Sequence, residues 1–316
     1  MKKVWIWLNG IWLVWFPVIS QALSFPLPPD GEDVVGNVVE ITARYEDTFS
    51  DFAREYDLGY REMLAANPGV DPWLPGAGTR ITIPTRFILP PPPRKGLIIN
   101  LAELRLYYFP PGEKRVITHP IGIGREGWET PTGKTRVVQK TRDPVWIPPD
   151  SIRAEYAEKG IELPRVVKPG PDNPLGRFAL RLGMPGYLIH GTDKPYGVGM
   201  RVSHGCIRLY PEDIEALFPL ISINTPVRII NQPYKSGWLD GTLYLEAHPP
   251  LEEEMKRLGG TINLTPVVRV ISSARGDIPV DVDWARIEQI ARQQRGIPLA
   301  VGKREETAAL VTEKEM

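Results

Sequence analysis

The stretch Ser203-His204-Gly205-Cys206-Ile207-Arg208-Leu209 decides how the rest of the sequence is interpreted. It contains the one cysteine of the 316-residue chain. Upstream, Tyr187-Leu188-Ile189-His190-Gly191-Thr192 predicts a strand that ends in a histidine. A thiol and an imidazole on neighbouring strands are the minimum components of a cysteine nucleophile, because the thiolate attacks and the thiol does not. We therefore expect His190 to take the thiol proton, in an ion pair that lowers the pKa of Cys206.

Each of these residues also has a simpler interpretation. A lone cysteine is usually a small buried hydrophobic residue. A lone histidine is more often a hydrogen-bonded polar group than a base. The adjacent glycines favour chemistry, because Gly191 and Gly205 remove side-chain bulk where a substrate backbone must approach.

The same residues resemble the signature of the L,D-transpeptidases, bacterial cell-wall enzymes with a YkuD-type catalytic domain. The resemblance rests on His190-Gly191-Thr192, on Gly197 and Gly199, and on residues 203–209. It extends to three further segments, residues 120–124, 130–133 and 169–176. It is greatest to the ErfK/YbiS/YcfS/YnhG type and covers most of the chain.

This resemblance implies a two-step acyl transfer. Cys206 attacks the peptidoglycan stem peptide at the carbonyl of diaminopimelate, and D-alanine leaves. His190 is the base for the thiol and then the acid for the departing amine. The Gly191 carbonyl orients the imidazole. An amine then takes the acyl group from the thioester.

The remaining motif residues have supporting roles in this interpretation. Backbone N–H groups around Gly205 and Cys206 are the expected oxyanion donors. Arg208 either binds a substrate carboxylate or braces the loop. Ser203 and His204 hydrogen-bond either the substrate or the loop, and Tyr187 lines the pocket.

Two acceptors fit the thioester. One is the terminal lysine of a small outer-membrane lipoprotein, which the resemblance to the ErfK/YbiS type favours. The other is the side-chain amine of a second diaminopimelate, which gives a 3→3 cross-link. Both are amines, so the signature residues do not separate them.

Other classes of function remain open at this stage. A cysteine peptidase or amidase would use Cys206 and His190 but pass the acyl group to water. A non-catalytic wall-binding protein would need no activated thiol. We expect no cofactor and no metal, because four histidines and one cysteine show no ligand spacing. His119 and His248 are interpreted as an ordinary strand residue and a loop residue.

Composition and the N-terminus indicate an exported protein. Lys plus Arg equals Asp plus Glu at 38 each, so charge gives no argument for nucleic acid. Lys2 and Lys3 precede an apolar run that is followed by the small residues Ser20-Gln21-Ala22. This pattern predicts a signal peptide over residues 1–24 and a periplasmic location, with no stable membrane span after cleavage. An uncleaved anchor is the alternative.

Residues 38–85 predict a strand, two helices and a strand, and they resemble a LysM module. The resemblance rests on Asp47-Thr48-Phe49, Asn67-Pro68, Leu74-Pro75-Gly76 and Ile81 to Pro84. LysM modules bind the glycan of peptidoglycan. Glu46 stands where a glycine commonly precedes the Asp-Thr pair, so a spacer that only positions the enzyme is the alternative.

The rest of the chain predicts a multidomain, mainly β protein. A proline-rich linker covers residues 86–95, and the catalytic domain, expected to be a YkuD-type β-sandwich with short helices, covers 96–231. Within it, residues 143–176 are long and irregular, which is typical of lids and binding loops. The family resemblance implies that they form a cap over the substrate. Residues 232–301 predict a small α+β extension of unknown role, and the charged residues 302–316 predict a disordered tail.

Overall fold

The computed structural model describes residues 22–305, and its N-terminal part is a compact βααβ unit. After an edge strand β1 (Leu23–Pro26), the chain forms β2 (Val34–Thr42), α1 (Phe49–Glu55), α2 (Tyr60–Ala66) and β3 (Arg80–Ile88). Strands β2 and β3 pair antiparallel. Thr48 caps α1 through a capping box with Asp51. The predicted order of strand, two helices and strand is confirmed.

The catalytic part of the chain contains one long mixed sheet of nine strands. The strands of this part are β4 (Gly96–Asn100), β5 (Arg105–Phe109), β6 (Arg115–Pro120), β7 (Ile123–Gly124), β8 (Gly133–Arg142), β9 (Phe178–Leu182), β10 (Leu188–His190), β11 (Arg201–Ser203), β12 (Ile207–Arg208) and β13 (Pro226–Ile230). The order in the nine-stranded sheet is β1-β6-β5-β4-β13-β8-β9-β10-β12. Strands β7 and β11 form a separate parallel pair.

The mainly β catalytic domain is confirmed, but the two facing sheets of a sandwich are not what the strands form. Strand β13 pairs with β4 on one side and with β8 on the other, and so joins the strands into one sheet. Residues from both ends of this sheet, such as Ile117 and Ile189, share one hydrophobic core. A sheet whose two ends meet in one core must curl around it.

The outer face of this sheet carries the N-terminal unit. Tyr107 and Val116 point away from the main core and pack in a second cluster with Phe52 and Met63. Strand β1 takes part in both units: it pairs with β6, while Phe25 contacts the ring of Phe87. The N-terminal unit is therefore packed on the catalytic sheet over a shared apolar core.

Two helices flank the nucleophile region. Helix α3 (Asp150–Glu158) lies in the long segment before β9, and α4 (Pro211–Leu220) follows β12. Proline at the start of α4 suits the first helical turn, where its missing N–H costs no hydrogen bond. Ile214 and Leu217 attach α4 to the main core.

The C-terminal extension is a small α+β unit with its own core. Its elements are β14 (Tyr234–Leu239), β15 (Thr242–Ala247), α5 (Glu252–Arg257), α6 (Thr265–Arg275), β16 (Val280–Val282), α7 (Trp284–Gln293) and β17 (Leu299–Arg304). Its sheet has the order β14-β15-β17-β16. Helix α6 was not predicted, because its β-branched residues favour a strand by propensity. Burial of Val267 and Ile271, one helical turn apart, stabilises it as a helix.

Two predicted boundaries differ from the observed elements. Strand β3 runs to Ile88 and therefore includes the first residues of the expected linker. Residues 302–304, expected in a disordered tail, belong to β17, where Gly302 lies opposite Leu243 and Val282. Ladder hydrogen bonds outweigh the charged composition there. Residues 306–316 lie outside the described part of the chain.

The predicted leader also lies almost wholly outside the described residues. Strand β1 begins at Leu23, so it includes the last two residues of the range 1–24. Between residues 22 and 305, no helix is both long and apolar enough to cross a bilayer.

Candidate active site

Parallel pairing of β10 and β12 brings the two predicted catalytic side chains to one cavity. Ile189 lies opposite Ile207, and His190 lies opposite Arg208. Cys206 directly precedes β12, and His190 ends β10. Both residues line a cavity of about 300 Å³. Residues of the long segment 143–176, including Trp146 and Ile152, form the opposite wall.

His190 is held as a neutral imidazole. Its Nδ1 lies 2.6 Å from the carbonyl oxygen of Gly191, the contact that the resemblance implied. A carbonyl only accepts, so the proton of the neutral ring is on Nδ1 and Nε2 is the free base. Burial, with the charge of Arg208, lowers the pKa of His190 to about 3, although the Gly191 contact opposes this.

The expected resting ion pair between Cys206 and His190 is wrong. The Cys206 thiol contacts the carbonyl oxygen of Gly186 at 3.6 Å. Burial raises the pKa of the thiol, against the opposing effects of the Leu188 N–H and Arg208. A buried neutral imidazole and a half-buried neutral thiol therefore face the cavity, because desolvation penalises both charged forms more than nearby charges favour them.

Ser203 bonds to the nucleophile turn itself. Its hydroxyl donates to the Cys206 carbonyl at 2.5 Å and accepts from the Gly205 N–H at 3.1 Å. Its side chain is fully buried. The sequence left open whether Ser203 hydrogen-bonds the substrate or the loop. In the structure it hydrogen-bonds the loop.

Gly205 occupies a position that requires glycine. Its φ is +101°, a value that side chains disfavour, and a Cβ there would lie 3.0 Å from Cε1 of Tyr187. Tyr187 thus packs under the turn, and it is not among the residues that line the cavity. The prediction that Tyr187 lines the pocket is therefore not met, because its ring packs against Gly205 instead.

Thr130 was missed as a site residue. Its hydroxyl donates to the Gly205 carbonyl at 2.8 Å and accepts from the Gly124 N–H at 3.0 Å. It lies in the turn 130–133 that forms part of the family resemblance, which was the available signal. Thr130 ties the nucleophile turn to β7.

His204 contacts helix α3. Its Nε2 lies 3.0 Å from Glu155 of α3 and 3.2 Å from Arg125, and its ring meets Trp128 edge-on at 4.8 Å. A hydrogen bond from Lys159 lowers the pKa of Glu155 most; burial opposes it, and His204 and Arg125 help bring the value to about 2. Glu155 is therefore an anion that attaches α3 to the nucleophile loop.

Arg208 projects its charge toward the same cavity. The side chain lines the cavity, and its Nε is buried without a hydrogen-bond partner. Burial lowers the pKa of the guanidinium, although Asp193 opposes this. A second arginine, Arg181, lines the wall beside it. The cavity thus offers two cations to a carboxylate ligand.

Among residues 22–305, two buried clusters have side chains that could bind a metal, and both lie away from this cavity. In one, Lys235 lies 2.8 Å from Glu103 and 3.1 Å from Glu246, with His248 alongside, so an ammonium already supplies the cation. The other is Asp57, His119 and Asp213. His119 is thus not an ordinary strand residue, because the fold buries it between two carboxylates.

Comparisons with known proteins find L,D-transpeptidases. The family model described as the L,D-transpeptidase catalytic domain, YkuD, matches residues 94–229. The probable L,D-transpeptidase ErfK/SrfK of Salmonella typhimurium is 41% identical over 290 residues, covering 89% of this chain and 92% of the relative. The probable L,D-transpeptidase YcfS of Escherichia coli is 47% identical over 242 residues, covering 75% of this chain and 76% of the relative.

A third relative and a solved structure extend the comparison. The probable L,D-transpeptidase YbiS of Escherichia coli is 40% identical over 295 residues, covering 91% of this chain and 94% of the relative. L,D-transpeptidase 3 from Mycobacterium tuberculosis, solved with a faropenem-derived adduct, is 19% identical with a TM-score of 0.32, covering 63% of this chain and 92% of that one. On the evidence of the nearly full-length relatives, the chain belongs to the L,D-transpeptidase family, enzymes of peptidoglycan metabolism.

Proposed function

We propose that Cys206 is the nucleophile of this L,D-transpeptidase and that His190 is its base. The observation that carries the proposal is their shared cavity, with a free imidazole Nε2 and a thiol on adjacent strands. The stem tetrapeptide binds there as donor. The acceptor that we propose is the terminal lysine of an outer-membrane lipoprotein.

In the first step the thiol proton moves to Nε2 of His190 as sulfur attacks the diaminopimelate carbonyl. A neutral imidazole can take this proton, and the cation formed then gives it to the departing D-alanine amine. The low pKa of His190 makes that cation a strong acid once it forms. The Gly191 carbonyl keeps the ring oriented throughout.

The oxyanion formed by this attack needs N–H donors. The Gly205 N–H already donates to Ser203, so it is not free for that role in the resting site. We assign the role to the Cys206 N–H, which the turn leaves beside the sulfur. The bonds of Ser203 and Thr130 hold the turn in place before substrate binds.

Substrate carboxylates account for the cationic wall. The stem peptide carries carboxylates on D-alanine and on diaminopimelate, and Arg208 and Arg181 face the space where the peptide would lie. We propose that Arg208 binds one of them. Its buried, unpartnered Nε supports substrate binding over loop bracing.

The choice of acceptor rests on the resemblance to the ErfK/YbiS type. A lysine at a protein C-terminus and a second diaminopimelate both present a primary amine near a carboxylate. The test supplies donor tetrapeptide with each amine in turn and measures ligated product by mass spectrometry. Preference for a peptide ending in lysine supports lipoprotein attachment, and preference for diaminopimelate establishes 3→3 cross-linking instead. Release of acyl product to water alone would indicate a peptidase or amidase.

The N-terminal unit is proposed to bind the glycan strand. Trp73 is 61% exposed and its ring lies 5.9 Å from that of Tyr60, a platform on which a sugar ring can stack. The test is sedimentation of the full chain with purified peptidoglycan. Trp73→Ala should weaken binding, whereas Trp284→Ala, which removes a half-exposed tryptophan of the C-terminal unit, should not. Equal binding by all three proteins would favour a spacer.

We also propose that the protein acts in the periplasm after its leader is removed. The support is the sequence pattern of residues 2–22 together with a substrate that lies in the cell wall. Osmotic-shock fractionation and the intact mass of the recovered protein test this. An uncleaved, membrane-associated chain would show that the apolar run is an anchor.

A further inference from the structure

The first strand of the described chain begins beside a buried acid. The backbone N–H of Leu23 donates to Oδ2 of Asp57 at 3.0 Å. Asp57 is only 1% exposed and belongs to the N-terminal unit, directly after α1. Asp57 lies 34 residues after Leu23 in the sequence, so tertiary folding brings the two together.

The acid belongs to a cluster with unsatisfied atoms. Nδ1 of His119 lies 3.2 Å from Asp57 and 3.4 Å from Asp213, and all three side chains are almost fully buried. Oδ1 of Asp57 and Oδ2 of Asp213 have no hydrogen-bond partner, and neither ring nitrogen of His119 has one of good geometry. Buried carboxylate oxygens without donors are costly, so their presence points to a missing donor.

Two other polar side chains near the cluster, Arg105 and Tyr210, already have hydrogen-bond partners. Arg105 pairs with Glu62 at 2.8 Å and gives Asp57 only a bond to its backbone carbonyl. The Tyr210 hydroxyl donates to the Leu58 carbonyl. With His119 protonated, two carboxylates still face one cation. If both carboxylates are ionised, the cluster can therefore accept one more positive charge.

The sequence offers a source for that charge at the same nitrogen. Ser20 and Ala22 are small residues at the positions that a leader peptidase requires before its cleavage point. They place that point at the Ala22–Leu23 bond, two residues before the end of the range 1–24 and directly before strand β1. Hydrolysis of this bond by water leaves the carboxylate on Ala22 and an amine on Leu23. At neutral pH that amine is largely an ammonium, with three donors in place of one.

We propose that Asp57, with His119 and Asp213, is the binding site for the α-ammonium group that leader removal creates on Leu23. The amine needs no long movement, because its nitrogen already lies within hydrogen-bond distance of Asp57. This inference rests on the proposed leader cleavage and not on the transferase chemistry.

The site has a consequence for the order of folding. Strand β1 completes the edge of the catalytic sheet against β6, and Asp213 lies in the first turn of α4, just after the nucleophile strand β12. An ammonium held by these acids connects the N-terminal unit, the sheet edge and α4. In the uncleaved chain an amide replaces the cation, so the final packing is stabilised only after export.

The electrostatics of the cluster support the geometry. Burial and the charge of Asp57 raise the pKa of Asp213 to about 7. Burial opposes protonation of His119, but Asp213 and Asp57 raise its pKa to about 10. A second cation beside His119 would let Asp213 ionise fully at neutral pH.

The experiment compares two full-length mature proteins, one beginning at Leu23 and one that keeps Ala22 as its first residue. Both are released from a fusion by a protease that leaves no extra residues, and the mass of each is verified. Urea unfolding at pH 7 should give the Leu23 protein a folding equilibrium constant roughly tenfold larger, because the extra residue moves the ammonium away from Asp57. Asp57→Asn should remove most of this difference.

A second measurement does not depend on that variant folding. Reductive methylation of the native Leu23 protein at pH 7 should modify its α-amine several-fold more slowly than the α-amine of the Ala22 protein. Equal stability and equal labelling of the two proteins would overturn the proposal, and so would a natural N-terminus at another residue. Transpeptidation measured on the same samples separates this outcome from failure of the proposed function.

Discussion

At Cys206, burial affects the thiol more than its neighbouring charges do. The raised thiol pKa and the imidazole pKa of about 3 describe a neutral pair in the resting enzyme. We expect the rate of alkylation by iodoacetamide to rise steadily with pH and to show no plateau between about pH 5 and 8, because the thiolate fraction stays small there. A plateau in the alkylation rate near pH 6 would establish an ion pair and contradict this description.

At Thr130, one hydroxyl satisfies two buried backbone groups. Thr130→Val should lower the free energy of unfolding by about 1–3 kcal/mol, because the Gly124 N–H and the Gly205 carbonyl lose their partner. It should also slow acylation of Cys206 by loosening the turn. Thr130→Ser keeps the hydroxyl and is the matched control. Urea unfolding and the acylation rate check both effects, and a valine variant with normal acylation would exclude the positioning role.

At the scale of elements, Glu155 joins helix α3 to the nucleophile loop. Its pKa of about 2 lies below the ordinary value of 4.5, so its contacts stabilise the packing of α3 on the nucleophile loop above pH 4.5 and are lost as the pH falls toward 2. Glu155→Gln should therefore increase hydrogen exchange in residues 150–158 at pH 7. Glu158→Gln, on the same helix but exposed, is the control. Similar exchange in both variants would show that other contacts hold the cap.

The elements also show where sequence reasoning succeeds. The strand that delivers His190, the turn that carries Cys206 and the βααβ unit follow from local patterns. The curl of the nine-stranded sheet does not, because it depends on which strands pair far apart in sequence, such as β13 with β4. Helix α6 was not predicted because its β-branched residues favour a strand, whereas burial of Val267 and Ile271 stabilises a helix. The cluster of Asp57 and Asp213 was not predicted either, because the two residues are far apart in sequence and only the fold brings them together.

At the scale of the whole molecule, a buried charge network joins the C-terminal unit to the rest. Lys235 of β14 pairs with Glu103 of the catalytic domain and with Glu246 of β15, and Glu246 accepts the Ile88 N–H at 2.6 Å. Lys235→Met should lower the free energy of unfolding by about 3–5 kcal/mol, because it leaves buried carboxylates without their cation. Lys303→Met, at an exposed position of β17, should change little. Equal thermal unfolding of the two variants would mean that the network contributes no stability.

The same network predicts that the C-terminal unit does not unfold on its own. Glu246 of this unit accepts a hydrogen bond from β3, and Lys235 pairs with Glu103 of the catalytic domain. Unfolding the unit alone would leave the buried partner groups without these contacts, which is unfavourable. We expect one calorimetric transition for the mature chain. Two separate transitions would show that the extension is an independent domain.

The most direct test of the central claim is intact mass spectrometry of the enzyme during turnover with a stem tetrapeptide and no acceptor amine. The account predicts an adduct equal to the tripeptide acyl group, located on Cys206 by peptide mapping and absent from Cys206→Ala. Adding a lysine-ended peptide should discharge the adduct into ligated product. Release of D-alanine by Cys206→Ala, or an adduct on any other residue, would contradict the account.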